Sequence, residues 1–302
     1  MDLDTQPVQL GEHTWALGGP FAWVYLVRAP RAVLLDTGMT FMARLLIRQI
    51  RQILGSQPLW GIVHTHSHFD HLGCTAQLCE AFAPAFVAAH PRVQKVLDNP
   101  TASALIAMLN DQLGALAGPD APRYSNPPEL SPVVGGDTID LGDGCSLRVW
   151  DTPGHTRDSI SLEVLPDKLV VVGEATGVPI SSLDHIQVEF LTSWQDYIAG
   201  IETVQRLQPE HLGLPHQYFA SGADVVARYL TMSLQATHAY VARMQRYMAE
   251  AHGDFQAVFD RIYREDYSGG QIGQPEPAYR LNLEAQVRLM QRQYQPNAEA
   301  RV

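Results

Sequence analysis

The run GIVHTHSHFDHLG, residues 61–73, is the stretch that decides the fold of this chain. It opens with apolar and partly β-branched residues, which predict a buried strand that ends near Val63. Four side chains that can bind a metal follow within six residues: His66, His68, Asp70 and His71. A lone loop histidine is usually an ordinary surface residue, but four such side chains directly after a buried strand predict a metal centre.

The spacing of these side chains predicts two neighbouring metal sites. His66 and His68 occupy alternate positions and can point toward one ion, whereas Asp70 and His71 are adjacent in a turning loop. Adjacent side chains diverge there, so that pair is better placed to serve a second ion. Imidazole and carboxylate groups are ligands of the kind that hold zinc, so we expect two divalent ions with zinc preferred. The same groups also suit iron and manganese, which remain alternatives because the ligand set alone does not choose the metal.

The segment HSHFDH, residues 66–71, resembles the HxHxDH signature of the metallo-β-lactamase superfamily. Four further segments match motifs of that family in the same order: DTG at 36–38, TPGHT at 152–156, VVVGE at 170–174 and LPH at 214–216. The resemblance covers roughly the first three quarters of the chain. It implies an α/β fold, the four-layer αβ/βα sandwich, with metals in a cleft at one edge of two packed sheets.

The resemblance also implies the ligand set. The first metal would be held by His66, His68 and His155, and the second by Asp70, His71 and His216. Glu174 stands where the family normally has a bridging aspartate, and it is longer by one methylene. It could bridge the ions, chelate one of them, weaken the second site, or turn away. His64 receives no ligand role and is predicted to be a packed histidine that orients a ligand.

Composition narrows the class of protein. The formal net charge of −11 opposes nucleic-acid binding, which requires a basic surface. Cys74, Cys79 and Cys145 form no zinc-type pairing or disulfide framework, which favours a reducing compartment. The start of the chain has neither a basic leader nor an apolar core, and no apolar run approaches membrane-spanning length. We therefore expect a cytoplasmic protein with no membrane partner, and a homodimer is left open.

The chain divides into residues 1–221, a catalytic domain, and 222–302, a helical C-terminal extension. Strands are predicted at 15–17, 24–27, 32–35, 60–64 and 86–88, and helices at 42–54, 74–82 and 92–116, the last interrupted at Asn99-Pro100. Ser193, followed by Asp196, predicts a capped helix. Apolar residues at helical spacing from Val226 to Met248, and in the segments 255–263 and 277–293, predict the helices of the extension.

The extension resembles that of glyoxalase II and of the CoA-thioesterase branch that includes the quinolone signal response protein; Gly269-Gly270-Gln271 and the final helix favour the second comparison. Both branches act on thioesters, so we expect hydrolysis of a small-molecule acyl thioester of the CoA or glutathione type. Metal-activated water would be the nucleophile and Asp70 would orient it. The alternatives are an intracellular lactonase or esterase, and a metal-containing regulatory binding protein with incidental hydrolysis.

Overall fold

The computed structural model describes residues 5–270, 272 and 274–294, and these residues form two large sheets, one small hairpin and surrounding helices. The strands in chain order are β1 (Val8–Gln9), β2 (Thr14–Gly19), β3 (Ala22–Val27), β4 (Ala32–Leu35), β5 (Leu59–Val63), β6 (Phe86–Ala89), β7 (Ser131–Pro132), β8 (Thr138–Gly142), β9 (Cys145–Asp151), β10 (Ile160–Leu165), β11 (Leu169–Val171), β12 (Val178–Pro179), β13 (Ile186–Gln187), β14 (His211–Gly213) and β15 (Ala220–Ser221).

The helices connect these strands and continue beyond them. They are α1 (Ala43–Leu54), α2 (Phe69–Leu72), α3 (Thr75–Phe82), α4 (Pro91–Leu97), α5 (Pro100–Ala117), α6 (Trp194–Leu207), α7 (Ala223–Glu250), α8 (Phe255–Ile262) and α9 (Glu276–Gln293), with a 3₁₀ turn at Thr40–Met42 and a π-helical turn at Tyr263–Tyr267. Among the described helices, none is both long enough and apolar enough to cross a membrane.

Two sheets packed face to face make the centre of the fold. The first sheet has the order β1-β2-β3-β4-β5-β6-β7, and the second has the order β15-β14-β11-β10-β9-β8. Apolar side chains of both sheets share one core, and separate cores lie between the first sheet and α1 and α3 and between the second sheet and α6 and α7. Helices therefore cover both outer faces, which confirms the predicted four-layer αβ/βα sandwich.

Helix α1 illustrates how the sequence makes these layers. Leu46, Ile50 and Ile53 recur at helical spacing and are buried against the first sheet, whereas the arginines between them point outward. Burying each such side chain contributes about 1.5–3 kcal/mol. The helix ends at Gly55, whose φ of 60° is a conformation that glycine adopts without strain. The prediction of a helix at 42–54 is thus confirmed.

The other predicted elements also form, with small shifts at their ends. The predicted break at Asn99-Pro100 separates α4 from α5, and the Asn99 side chain accepts hydrogen bonds from two backbone N–H groups of α5. Ser193 caps α6 by accepting from the Asp196 N–H. Both signals are local, since the capping side chain lies within three residues of the groups that it satisfies.

The helical extension is present and has an apolar core of its own. Helices α7, α8 and α9 pack together, and their core includes Met244, Phe259 and Leu283 and reaches Tyr197 of α6. The division at 221/222 stays a prediction, although α7 begins directly after β15. Gly269 and Gly270 lie in a turn after the π-helical segment, whereas Gln271 lies outside the described residues.

Candidate metal centre

The metal-binding loop begins where two parallel strands of the first sheet end. Leu35 of β4 lies opposite Val63 of β5, so the chain leaves both strands at the same edge of the sheet. This register places Asp36 beside the loop at 64–71. The loop is held close, because the Thr65 N–H donates to Asp36 Oδ1 and the Thr65 hydroxyl donates to Asp36 Oδ2, both over 2.8 Å.

The second sheet supplies the remaining side chains in a similar way. Strands β11 and β14 are parallel, with Val171 opposite Gly213, and Glu174 and His216 follow these strand ends. His155 lies in the connection between β9 and β10. The candidate centre is therefore assembled from the edges of both sheets, as the resemblance implied.

The two sheets are joined directly beside the centre. The Trp23 N–H of β3 donates to the Pro215 carbonyl over 2.7 Å, and the Tyr25 hydroxyl donates to the Leu214 carbonyl over 2.6 Å. These bonds connect the first sheet to the segment that carries His216, and so they fix its position relative to the loop of the first sheet.

His66, His68 and His155 form the first group of potential ligands. One ring nitrogen of each lies within 4.8 Å of the others, and His155 Nε2 is 3.0 Å from His68 Nδ1. Burial lowers the pKa of His66 well below its usual value and that of His155 to about 4. Both rings are therefore neutral near pH 7, which is the state in which imidazole binds a metal.

Asp70, His71, Glu174 and His216 form the second group, also within 4.8 Å of one another. His216 Nε2 lies 3.1 Å from Asp70 Oδ2 and 3.3 Å from Glu174 Oε1. Burial lowers the pKa of His216, but hydrogen bonds and charge from Asp70 and Glu174 outweigh burial and raise it to about 10. A cation binding to this group would displace that proton, so metal uptake here is expected to release protons.

Glu174 faces both groups at once. Its Oε1 atom is 3.0 Å from His71 Nε2, in the second group, while its Oε2 atom lies 3.3 Å from His66 Nε2 and 3.6 Å from His155 Nε2, in the first. Burial raises the pKa of this carboxyl, but the surrounding histidines outweigh burial and hold it well below its usual range. The extra methylene of glutamate thus does not turn the ionised carboxylate away from the centre.

Two buried atoms test whether a metal fits these residues. Within the part of the chain that the structure describes, His66 Nε2 and Glu174 Oε2 lie 3.3 Å apart but form no hydrogen bond with each other or with another group, although both are buried. Leaving a buried polar atom unpaired costs about 1–3 kcal/mol, and a cation bound to both would remove that cost. The donor set contains nitrogen and oxygen and suits zinc, iron or manganese. The residues therefore fit divalent metal ions.

The ring nitrogens that face away from the centre have their own partners. His71 Nδ1 lies 2.8 Å from Asp36 Oδ2, and His216 Nδ1 donates to the Phe21 carbonyl over 2.7 Å. His155 Nδ1 donates to the Glu189 carbonyl. Such contacts fix the tautomer and the orientation of a ligating histidine, so that its other nitrogen is free for a metal.

His64 is buried and belongs to the surroundings of the centre, as predicted. Its Nε2 atom lies 3.1 Å from the Thr75 hydroxyl, and its Nδ1 atom lies 3.8 Å from Asp36 Oδ1. The ring therefore packs beside Asp36, the residue that holds His71.

Sequence reasoning missed three contributors to the site. Asp36 lies in the DTG motif at 36–38, but its hydrogen bond with His71 was not predicted. The available signal was its position directly after a buried strand. Glu189 is buried, and desolvation raises its pKa to about 8. The weak sequence signal for a buried acid here was its position between the apolar residues Val188 and Phe190. The Tyr197 hydroxyl donates to the Glu174 carbonyl over 3.0 Å, and no sequence signal pointed to it.

All seven predicted ligands come together in the structure, in the two groups that were predicted, with Glu174 placed between them. His90, His185, His211 and His238, which lacked a motif, are absent from both groups. That each of the seven binds an ion stays a prediction.

Comparison with known proteins decides the family. Residues 17–216 match the sequence model of the metallo-β-lactamase superfamily. The chain belongs to the metallo-β-lactamase superfamily. The matched range contains the whole candidate centre, so the metal-dependent hydrolase fold of the superfamily is present together with a His/Asp/Glu cluster able to bind metal ions.

Individual relatives are similar to this chain over different lengths. The probable metallo-hydrolase YflN of Bacillus subtilis is 31% identical over 220 residues, which cover 68% of this chain and 72% of YflN. The uncharacterized protein Rv2581c of Mycobacterium tuberculosis is 33% identical over 138 residues, 44% of this chain and 55% of that protein, so the chain spans just over half the length of this relative.

A solved structure has the same fold. The archaeal metallo-β-lactamase superfamily protein ST1585 from Sulfolobus tokodaii matches with a TM-score of 0.54 and 19% identity, over 74% of this chain and 86% of ST1585. At this level of identity the likeness concerns the fold alone.

Proposed function

We propose that this protein hydrolyses acyl thioesters of the CoA or glutathione type with the help of two divalent ions. The observation that carries the proposal is the position of Glu174, whose two carboxylate oxygens face the two ligand groups. When bound, divalent ions supply a Lewis acid and lower the pKa of water toward neutrality. Everything else in the reaction depends on the residues around them.

Asp70 is the carboxylate best placed to handle the nucleophilic water. Its side chain is 13% exposed and that of His216 is 20% exposed, against 6% for Glu174, so the centre opens to solvent beside Asp70. Burial raises the pKa of Asp70, but the hydrogen bond with His216 outweighs burial, so the pKa is lowered. The ionised carboxylate can accept a hydrogen bond from water, orient it, and receive its proton.

The electrostatics favour a thioester over an ester or a lactone. Asp70 and Glu174 both have lowered pKa values, so both are ionised near pH 7, and the proton that they can pass to a leaving group is the one that Asp70 takes from water. A thiol has a pKa near 8.5, so a thiolate departs without protonation more readily than an alkoxide does. The helical extension, which lies outside the matched range 17–216, gives further support through its resemblance to thioester-cleaving branches.

One sample can test metal content and reaction class together. Protein purified without added metal would be analysed for its elements and then assayed on acetyl-CoA, S-lactoylglutathione, a homoserine lactone and p-nitrophenyl acetate. We expect about two ions per chain and a kcat/KM at least tenfold higher for one of the thioesters. The exposed residue His238 supplies a control, because His238→Ala should change neither quantity, whereas His66→Ala should reduce both.

Other outcomes would assign other functions. A preference for the lactone or the ester would replace the thioesterase assignment with a lactonase or esterase. A full complement of metal with negligible turnover across the panel would favour a regulatory binding protein.

A further inference from the structure

A cavity of about 280 Å³ lies between the β12–β13 hairpin and helices α7 and α9 of the helical extension. Much of its wall is apolar and aromatic, from Ile186, Val188, Ala236, Tyr240 and Tyr279. A space of this size that combines apolar walls with a few polar groups is typical of a small-molecule site.

Two residues that line the cavity each carry a buried polar atom without a hydrogen-bond partner. Arg243 Nε and Tyr279 Oη are buried atoms, and among the described residues neither makes a hydrogen bond. Tyr279 is only 4% exposed, and burial raises its pKa, so the hydroxyl keeps its proton. Since an unpaired buried donor is costly, two of them on one cavity indicate a ligand that accepts hydrogen bonds.

The neighbouring polar groups are already engaged. Gln286 donates to the Val188 carbonyl and accepts from the Tyr240 hydroxyl, both over 2.9 Å. Asn282 Nδ2 donates to Glu189 Oε2 over 2.9 Å. These bonds hold the cavity wall in place, and the two unpaired donors remain to recognise a ligand.

The charge of the wall decides between an anionic and a neutral ligand. Arg243 forms a two-pronged ion pair with Asp266, in which Nη1 donates to Oδ1 over 2.9 Å and Nη2 donates to Oδ2. The guanidinium charge is therefore already compensated, and among its three nitrogens Nε has no hydrogen-bond partner within the described residues. An added carboxylate would meet a second negative charge at Asp266, whereas a carbonyl oxygen would not.

We propose that this cavity is a binding site for a compact, mostly apolar group that carries one neutral hydrogen-bond acceptor, such as a ketone or amide carbonyl. On binding, the side chains of Arg243 and Tyr279 turn so that Nε and Oη donate to that acceptor, and the apolar walls surround the remainder. The volume suits a group of roughly ten non-hydrogen atoms, since ligand pockets of a few hundred Å³ hold small molecules.

Glu189 connects this site to the metal centre. Its carboxyl group lies on the cavity wall, while its carbonyl accepts the hydrogen bond from His155 Nδ1. Two kinds of molecule could supply the bound group. One is the acyl part of the substrate, which rests on the proposed function, and the other is a separate effector that acts through Glu189.

The direct test compares acetophenone with ethylbenzene, which replaces the carbonyl by a methylene. Binding to the metal-loaded full chain would be measured by ligand-observed NMR titration. Two added hydrogen bonds should make acetophenone bind about tenfold more tightly than ethylbenzene. Tyr279→Phe should reduce this preference to about threefold, since one of the two hydrogen bonds is lost, and leave the affinity for ethylbenzene unchanged. Tyr124→Phe is the matched control, since Tyr124 also has a buried unpaired hydroxyl among the described residues but does not line the cavity.

A second pair of variants tests whether binding depends on the volume of the cavity. Ala236→Leu should fill part of the cavity and weaken both probes, whereas Ala227→Leu, at an exposed position of the same helix, should weaken neither. Equal affinity for the two probes, or an unchanged preference in Tyr279→Phe, would overturn the proposal.

Kinetics then separate the two sources of the ligand. If acetophenone raises KM for the thioester that the protein hydrolyses and leaves kcat unchanged, the site holds the acyl group. A change in kcat without competition assigns the site to an effector. Selective binding of acetophenone by a protein that hydrolyses none of the panel would support the site and reject the thioesterase proposal.

Discussion

His71 Nδ1 donates a hydrogen bond to Asp36 Oδ2 over 2.8 Å, and this contact leaves His71 Nε2 directed toward Glu174. Burial alone would raise the pKa of Asp36, but His71 and His64 lower it to about 2, so the carboxylate is ionised. A carboxylate behind a histidine fixes its tautomer and increases its basicity. Asp36 is thus a positioning residue for the second ligand group.

Asp36→Asn should weaken metal binding at the second group by about 10- to 100-fold, because the partner that orients His71 loses its charge. Competition with a chromogenic chelator would measure the affinity. Asp140→Asn removes a carboxylate from an exposed ion pair with Arg31 and should leave the affinity unchanged. Equal affinities in both variants would contradict the positioning role.

Loss of a histidine from the first group should remove its ion selectively. We expect His66→Ala or His68→Ala to reduce the metal content by about one ion per chain, because an open site that loses one of three protein ligands binds weakly. Elemental analysis after dialysis is the measurement, and His238→Ala is the control. Unchanged metal content in both variants would remove these histidines from the ligand set.

Asp70→Asn keeps the size of the side chain but removes its charge. Turnover should fall by about 10²- to 10⁴-fold, the range expected for loss of a general base, and the melting temperature of the metal-free protein should fall modestly because the ion pair with His216 is lost. Metal loss from the second group should accompany the change. Wild-type kcat at full metal content would exclude the proposed role of Asp70.

Glu174 can be tested by separating charge from length. Glu174→Gln should weaken metal retention at both groups, because each carboxylate oxygen faces one of them. Glu174→Asp keeps the charge and should retain metal better than the glutamine variant if the backbone can relax by about a bond length. A variant Glu174→Gln that keeps both its metal and its activity would strike Glu174 from the ligand list.

The cap of α6 allows a test of stability. Ser193 Oγ accepts from the Asp196 N–H over 3.1 Å, and Ser193→Ala should lower the free energy of unfolding by about 1 kcal/mol. Urea denaturation would measure the change. Ser56→Ala, at an exposed position outside a helix, should have an effect within about 0.5 kcal/mol.

Much of the fold could be predicted because its signals are local. The alternation of apolar residues, the cap at Ser193 and the break at Asn99-Pro100 act within a few residues of where they occur. The loop around His66 and His68 was identifiable for the same reason, since its ligands are close in sequence. The distant ligands His155, Glu174 and His216 could be assigned only through resemblance to a family.

The features that could not be predicted depend on contacts between distant parts of the chain. Asp36 and His71 are 35 residues apart, and Asn282 and Glu189 are 93 residues apart. Neither pair carries a spacing or periodicity that identifies its partner. The cavity is likewise made by a hairpin and two helices that meet only in three dimensions, so its unpaired donors, Arg243 and Tyr279, could not be recognised from sequence.

The origin of the ligands in two separate sheets couples metal binding to the docking of those sheets. His66, His68, Asp70 and His71 follow the first sheet, whereas His155, Glu174 and His216 follow the second. An ion that is held by side chains of both sheets loses some of its ligands when the sheets separate, so it binds that state more weakly. The free energy of metal binding therefore adds to the free energy of that docking. Chelation should increase hydrogen exchange first along the seam near Trp23 and Pro215, before the interior of either sheet.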